Sequence, residues 1–184
     1  MIKNSSTPQH EMLSGLWQSI YNHYWRCETA LPTMLGVSNE TLQKLIYRFE
    51  LVKPPCHELD IHRHQNQTEL RATLQELKQD EWLALKTLFL EHLNSNTEHG
   101  EPFCQVLASA SLGNQHLWKD LGMNSRADLS TMIKIYLPTL HASNTNNMRW
   151  KRFFYLQLCQ RDGDYICRAP SCDQCSSHSE CFVV

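Results

Sequence analysis

A change of pattern near Gly163 constrains this 184-residue chain more than any other feature. Before that glycine, apolar residues recur at the three- and four-residue spacing of helices. From Asp164 to Val184 no period persists, and small and polar residues prevail. A segment of this kind buries too little apolar surface to order itself without a cross-link. We therefore expect a helical body over residues 1–163 and a Cys-rich tail over residues 164–184.

The composition of the body favours helices over sheet. The chain has 25 leucines against 12 valines plus isoleucines, and only 6 glycines. Candidate helix starts carry a capping side chain, namely Thr7 before Pro8, Ser38, Asp80 and Ser125. The polar segments 56–67 and 94–101 are interpreted as loops. The sequence thus predicts an all-α fold, a single helical bundle of about six to eight helices with an irregular C-terminal Cys-rich metal-binding tail.

Charge and hydropathy limit the partners of the chain. The chain has 17 basic and 19 acidic residues, a net charge of −2, so no polybasic surface favours nucleic acid or an anionic membrane. The first twenty residues lack the apolar core of a signal peptide, and no stretch approaches the roughly 20 apolar residues of a membrane span. We expect a cytoplasmic protein whose cysteines are mostly reduced.

Five of the eight cysteines crowd into the last 26 residues. Four of them form the pattern Cys167-x4-Cys172-x2-Cys175-x5-Cys181, and thiolates of this kind suit soft metal centres. A structural four-thiolate zinc site is one interpretation, although zinc modules usually carry two close pairs. Disulfides are a second, better suited to a secreted protein. An iron–sulfur or mixed-metal cluster is the favoured third, because widely spread single ligands match the several corners of a cluster.

Other residues allow a functional and a structural interpretation. The positive charges near the tail either belong to a solvated helix face or compensate an anionic cluster and attract an oxyanion; they are Arg149, Lys151, Arg152, Arg161 and Arg168. Trp150, Phe153, Phe154 and Tyr155 are expected in the core. Cys27 and Cys104 are expected to be small core residues on apolar helical faces. His62 and His64 lie in the predicted loop, where weak metal binding is the less favoured alternative.

Three motifs together carry a resemblance to a known family. The run NMRWKRFFY over residues 147–155 precedes the four-cysteine pattern, HLWKDLG occupies residues 116–122, and ALPTMLG occupies residues 30–36. In this order the motifs resemble those of the NifQ family of nitrogen-fixation proteins, across most of the chain.

The resemblance implies a carrier of molybdenum. NifQ-like proteins hold a molybdenum–iron–sulfur cluster and supply molybdenum for assembly of the iron–molybdenum cofactor of nitrogenase. By position, Cys167, Cys172, Cys175 and Cys181 match the cluster ligands of the family. The expected partners are the assembly proteins NifEN and NifH, with molybdate or another molybdenum source. No acid–base pair, nucleotide-binding glycine loop or nucleophile motif predicts an enzyme. The alternative is a small helical interaction protein with a structural zinc site.

His116 is a further candidate metal ligand. It begins the HLWKDLG motif, and an imidazole holds a metal more exchangeably than a thiolate because it can be protonated near pH 6.5. We therefore predict that His116 lies near the cysteine tail and binds the molybdenum corner of the cluster. The alternative is that His116 only packs beside Trp118 and hydrogen-bonds the backbone. Asp120, one helical turn further on, is the candidate acceptor that orients its ring.

Overall fold

The computed structural model of the protein describes residues 7–162, and this part of the chain is all-helical. It contains nine α-helices, more than the six to eight expected, and one short 3-10 turn at Thr33–Gly36. The predicted tail over residues 164–184 lies outside the described residues. The helices are α1 (Pro8–Trp25), α2 (Asn39–Phe49), α3 (Glu58–Leu77), α4 (Gln79–Glu91), α5 (Gly100–Ser111), α6 (Leu117–Leu121), α7 (Arg126–Tyr136), α8 (Pro138–Ser143) and α9 (Trp150–Asp162).

Three of the four predicted helix caps are confirmed. The hydroxyls of Thr7, Ser38 and Ser125 accept hydrogen bonds from backbone N–H groups in the first turns of α1, α2 and α7, at 3.4, 3.2 and 3.1 Å. The prediction for Asp80 is wrong, because α4 already begins at Gln79. Asp80 lies in the first turn instead, where its negative charge stabilises the helix through a favourable interaction with the helix dipole.

The predicted loop over residues 56–67 is wrong, because most of it belongs to α3. This helix begins at Glu58 after the Pro54–Pro55 stop, and its buried side chains are those of His64 and Thr68. A surface helix that buries so little needs no continuous apolar stripe, so periodicity does not reveal its first part, up to residue 67. The second predicted loop, 94–101, is confirmed for residues 94–99, whereas residues 100 and 101 belong to α5.

The core forms around α5, which packs against α4, α6 and the 3-10 turn. Phe103 on α5 stacks on Tyr136 of α7, with ring centroids 4.4 Å apart. Trp17 of α1 is fully buried, and its indole N–H donates to the Tyr136 hydroxyl at 3.0 Å. Aromatic rings from three helices thus meet at one point, and a hydrogen bond fixes their arrangement.

Helix α9 closes the core with the predicted aromatic run. Trp150, Phe153, Phe154 and Tyr155 are all buried, which confirms their expected role. The Phe154 ring meets Phe89 of α4 edge-on at 4.7 Å. This helix therefore anchors the chain firmly just before the Cys-rich segment begins. None of the helices within residues 7–162 has the length and apolarity needed to cross a membrane.

Candidate functional site

The four predicted cluster ligands, Cys167, Cys172, Cys175 and Cys181, lie outside the described residues, as does Arg168. The structure does describe the three motif segments that accompany them in the sequence. These segments meet at one place in the fold, the motif junction, which consists of Ala30, Gly113, Gln115, Asp120 and Lys151.

Asp120 of α6 is the centre of the motif junction. Its side chain is 2% exposed, and its carboxylate accepts hydrogen bonds from the Lys151 ammonium and from the backbone N–H of Gln115, the latter at 2.9 Å. Its backbone carbonyl accepts the N–H of Ala30 at 2.8 Å. Residues 30–36, 116–122 and 147–155 are therefore joined by hydrogen bonds through a single residue.

Lys151 uses its ammonium group for contacts within the motif junction. Its ammonium also donates to the Gly113 carbonyl at 2.8 Å, and its side chain is 19% exposed. Burial raises the pKa of Asp120, and the neighbouring Lys151 ammonium opposes that rise. For Lys151, the interpretation as a solvated helix face is therefore wrong, because its charge serves a buried ion pair. Arg161 forms an exposed pair with Glu91 at 3.2 Å.

His116 occupies the N-cap position of α6 and is exposed. The backbone carbonyl of this histidine accepts the N–H groups of Lys119 and Asp120 at 2.8 and 3.0 Å, which fixes its place at the edge of the motif junction. The predicted closeness of His116 to the tail sulfurs involves residues outside 7–162. Its role as a metal ligand stays a prediction.

A second cluster of chemically versatile side chains lies between the end of α1 and the start of α3. Here a cleft of about 250 Å³ separates the two helices, and we call it the thiol cleft. Its lining comprises Trp25, Arg26, Cys27, Pro54, Pro55, Cys56, Asp60 and Arg63.

Cys27 lies in the thiol cleft rather than in the core, so the core prediction is wrong for this cysteine. Helix α1 ends at Trp25, and Cys27 adopts a left-handed backbone with φ of 62°, which turns it away from the apolar face of the helix. Its N–H donates to the Tyr24 carbonyl at 3.1 Å, and its own carbonyl accepts from Arg71 at 3.3 Å. Cys104, in contrast, is fully buried as expected.

His64 is the imidazole of this cluster. Its Nδ1 lies 3.9 Å from the Cys27 sulfur, and its ring stacks on Trp25 at 4.2 Å between centroids. Burial, together with the positive charges of Lys53 and Arg71, lowers the pKa of His64 to about 4, although a backbone hydrogen bond with Tyr24 opposes the shift. The ring is therefore neutral at pH 7 and pairs with a protonated thiol. Its neighbour His62 is exposed, and both histidines lie in helix α3 rather than in a loop as predicted.

The charges around the thiol cleft are mainly positive. Arg26 and Arg63 line it, and the Lys53 ammonium lies 3.7 Å above the Trp25 ring. Burial raises the pKa of the Cys27 thiol, while the positive charges of Arg71 and Arg63 act to lower it. Among the described residues, Asp60 is the one that brings a carboxylate to the lining of this cleft.

Sequence analysis missed this cluster because its parts are far apart in the chain. Cys27 and His64 are separated by 37 residues, and each looked unremarkable in its own segment. One available signal was the Pro54-Pro55-Cys56 run, which lies between α2 and α3 and lines the cleft. Within residues 7–162, no three His, Cys, Asp or Glu side chains are grouped so as to hold a metal ion.

Comparison with known proteins gives one consistent result. The model of the NifQ family matches residues 16–183. "Protein NifQ" of Azotobacter vinelandii is 37% identical over 177 residues, which cover 95% of this chain and 90% of that protein. "Protein NifQ" of Klebsiella pneumoniae is 35% identical over 178 residues, which cover 95% and 99%. "Protein NifQ" of Rhodobacter capsulatus is 43% identical over 100 residues, which cover 54% and 56%. No solved structure matches the chain.

Proposed function

The chain belongs to the NifQ family, and from this membership we propose that it carries molybdenum for assembly of the iron–molybdenum cofactor of nitrogenase. The cargo is a molybdenum–iron–sulfur cluster held by Cys167, Cys172, Cys175 and Cys181. The activity is metal delivery in the cytoplasm, with no turnover of an organic substrate. NifEN and NifH are the proposed partners, and molybdate or another molybdenum source supplies the metal.

One observation carries this proposal. The family match extends to residue 183 and therefore includes all four cysteines of the tail. The described structure adds support, because the three motif segments that precede the tail converge on the motif junction. A helix that is anchored by buried aromatic rings leads directly to the ligand segment, and such anchoring helps to define where a cluster is held.

Anaerobic purification with metal analysis tests the proposal. The full-length protein is expected to be brown and to contain iron and molybdenum. Cys172→Ser and Cys175→Ser are each expected to lose both metals, because a hydroxyl is a far poorer ligand for soft metals than a thiolate. A colourless protein that contains zinc would instead establish the structural zinc module.

Cys56→Ser is the matched control, because it makes the same substitution at a half-buried cysteine of the body. It is expected to retain both metals. Equal metal content in the tail variants and in this control would refute the ligand assignment. Circular dichroism of each variant verifies that the helical body is folded.

His116 is proposed to bind the molybdenum corner of the cargo. His116→Ala is expected to keep iron and lose molybdenum, because only that corner would lose its ligand. Since His116 is exposed, the substitution leaves the core intact. Equal loss of both metals, or of neither, would contradict the role.

A further inference from the structure

The thiol cleft combines two features that rarely suit the same ligand. Cys27 provides a soft sulfur donor, which favours thiophilic metals. Arg26 and Arg63 in the lining of the cleft, and Lys53 over the ring of Trp25, provide positive charge, which repels a bare metal cation. A thiophilic metal that arrives inside an oxyanion satisfies both conditions, because its oxygens carry negative charge toward the guanidinium groups.

We propose that the thiol cleft binds molybdate, with Arg26 and Arg63 on its oxygens and the Cys27 sulfur next to the metal. This inference rests on the proposed function for the identity of the metal, and it assigns a docking site distinct from the tail cysteines. Molybdate is a tetrahedral dianion, and a cleft of about 250 Å³ holds an ion of that size together with a few waters.

The two arginine side chains of the cleft have N–H donors that are available to bind a ligand. The side chains of Arg26 and Arg63 are exposed, and neither forms a hydrogen bond or an ion pair within residues 7–162. Guanidinium groups bind oxyanions through paired N–H donors. Asp60, three residues before Arg63 on α3, reduces the positive charge of the cleft without cancelling it.

Cys27 is better placed than Cys56 to meet the metal. Arg71 holds the carbonyl of Cys27, and the sulfur itself faces the neutral ring of His64 at 3.9 Å. Arg71 and Arg63 both act on this thiol with positive charge, which favours a sulfur bonded to an anionic metal centre. The Cys56 thiol already donates to the Pro54 carbonyl at 3.3 Å.

The bond between sulfur and molybdenum forms by ligand exchange. One oxo ligand takes the thiol proton and one proton from a water molecule, which is left as hydroxide, and departs as a second water molecule. The Cys27 sulfur takes its place, so the docked ion changes from a dianion to a monoanion. Molybdenum stays in oxidation state VI, and no reductant is required.

The test uses the full-length chain with all four tail cysteines replaced, C167S/C172S/C175S/C181S, so that the cleft is measured without them. Binding of molybdate and of sulfate is measured by calorimetry. Sulfate has the charge and shape of molybdate but accepts no thiolate ligand. We expect molybdate to bind at least about tenfold more tightly than sulfate, and X-ray absorption at the molybdenum edge to show one sulfur neighbour.

Two variants of this tail-substituted chain distinguish the contribution of positive charge to binding from the contribution of the sulfur ligand. Arg63→Gln is expected to weaken both anions about tenfold, because it removes a charge-assisted hydrogen bond. Cys27→Ser is expected to abolish the preference for molybdate and the sulfur neighbour while sulfate binding stays unchanged. Melting temperatures establish that both variants are folded.

Matched controls make the assignment specific. Lys134→Gln removes a positive charge from the exposed surface of α7, and Cys56→Ser removes the other thiol of the cleft. Both are expected to bind molybdate as the parent does. Loss of binding in Lys134→Gln, or loss of the sulfur neighbour in Cys56→Ser but not in Cys27→Ser, would overturn the proposal.

Failure of the cleft and failure of the proposed function give different results. If the tail-substituted chain does not bind molybdate, while the unmodified chain contains iron and molybdenum, then the cleft is refuted and the carrier function stands. If the cleft binds molybdate but the unmodified chain contains only zinc, then the docking site stands and the carrier function is refuted.

Discussion

The buried carboxylate of Asp120 makes Lys151 the least replaceable charge on α9. Lys151→Met keeps the aliphatic length of the side chain but leaves Asp120 without its cation. The free energy of unfolding is expected to fall by about 2 to 3 kcal/mol. This is no more than the smallest loss that is usual for breaking a fully buried ion pair, because Lys151 is partly exposed. Chemical denaturation monitored by circular dichroism measures this loss.

Two further variants identify the cause. Lys151→Met combined with Asp120→Asn is expected to regain part of the stability, since the amide is neutral and still accepts from the Gln115 N–H. Lys44→Met, which breaks the exposed pair with Glu40 on α2, is expected to leave the melting temperature unchanged. An equal loss in Lys151→Met and Lys44→Met would show that the burial of Asp120 is not the reason.

At the scale of the element, the glycine that ends α6 illustrates how the helix ends are determined. Gly122 has φ of 87°, and an added Cβ would lie 2.8 Å from Thr29 Cγ2 and 3.0 Å from His23 Cβ. Gly122→Ala is expected to lower the free energy of unfolding by about 1 to 2 kcal/mol, because the left-handed backbone and the close contacts both oppose a side chain. Thermal denaturation provides the measurement.

Gly15→Ala is the natural comparison for this substitution. Gly15 lies within α1, and an added Cβ would have nothing within 4 Å. Alanine there is expected to raise the free energy of unfolding by about 0.5 to 1 kcal/mol, since it lowers the entropy of the unfolded chain and favours helix. The two substitutions should therefore act in opposite directions, and a shared sign would contradict the described backbone.

Helix α3 is expected to open more readily than α5. The residues of α5 are mostly buried, whereas α3 exposes large apolar side chains such as Leu70 at 61% and Leu77 at 78%. Local opening follows the burial of an element, so the amides of α3 should exchange with solvent before those of α5. Hydrogen–deuterium exchange with peptide resolution measures the order, and slower exchange in α3 would contradict the expectation.

At the scale of the whole molecule, one hydrogen bond connects helices that are distant in the chain. The Trp17 indole of α1 donates to the Tyr136 hydroxyl of α7 at 3.0 Å, across 119 residues. Tyr136→Phe is expected to lower the free energy of unfolding by about 1 to 3 kcal/mol, because the buried indole N–H loses its acceptor. Tyr47→Phe on the exposed surface of α2 removes the same hydroxyl and should cause no change. Denaturation curves for both variants test the contrast.

Local chemistry was enough to predict much of the fold. The caps at Thr7, Ser38 and Ser125 depend on residues within a few positions of each other, so the sequence displays them directly. The first part of helix α3, up to residue 67, escaped prediction because a helix on the surface needs no apolar stripe. The family was also recognisable, because its motifs are short and contiguous.

The sequence by itself determined the helical class, several helix boundaries, the aromatic core of α9 and membership of the NifQ family. Only the tertiary structure decided which distant residues meet. Asp120 and Lys151 are 31 residues apart, and Cys27 and His64 are 37 residues apart. Such pairs depend on how helices pack and cross, and that arrangement follows from the burial of many apolar side chains at once rather than from any local pattern. The motif junction and the thiol cleft are both products of that packing.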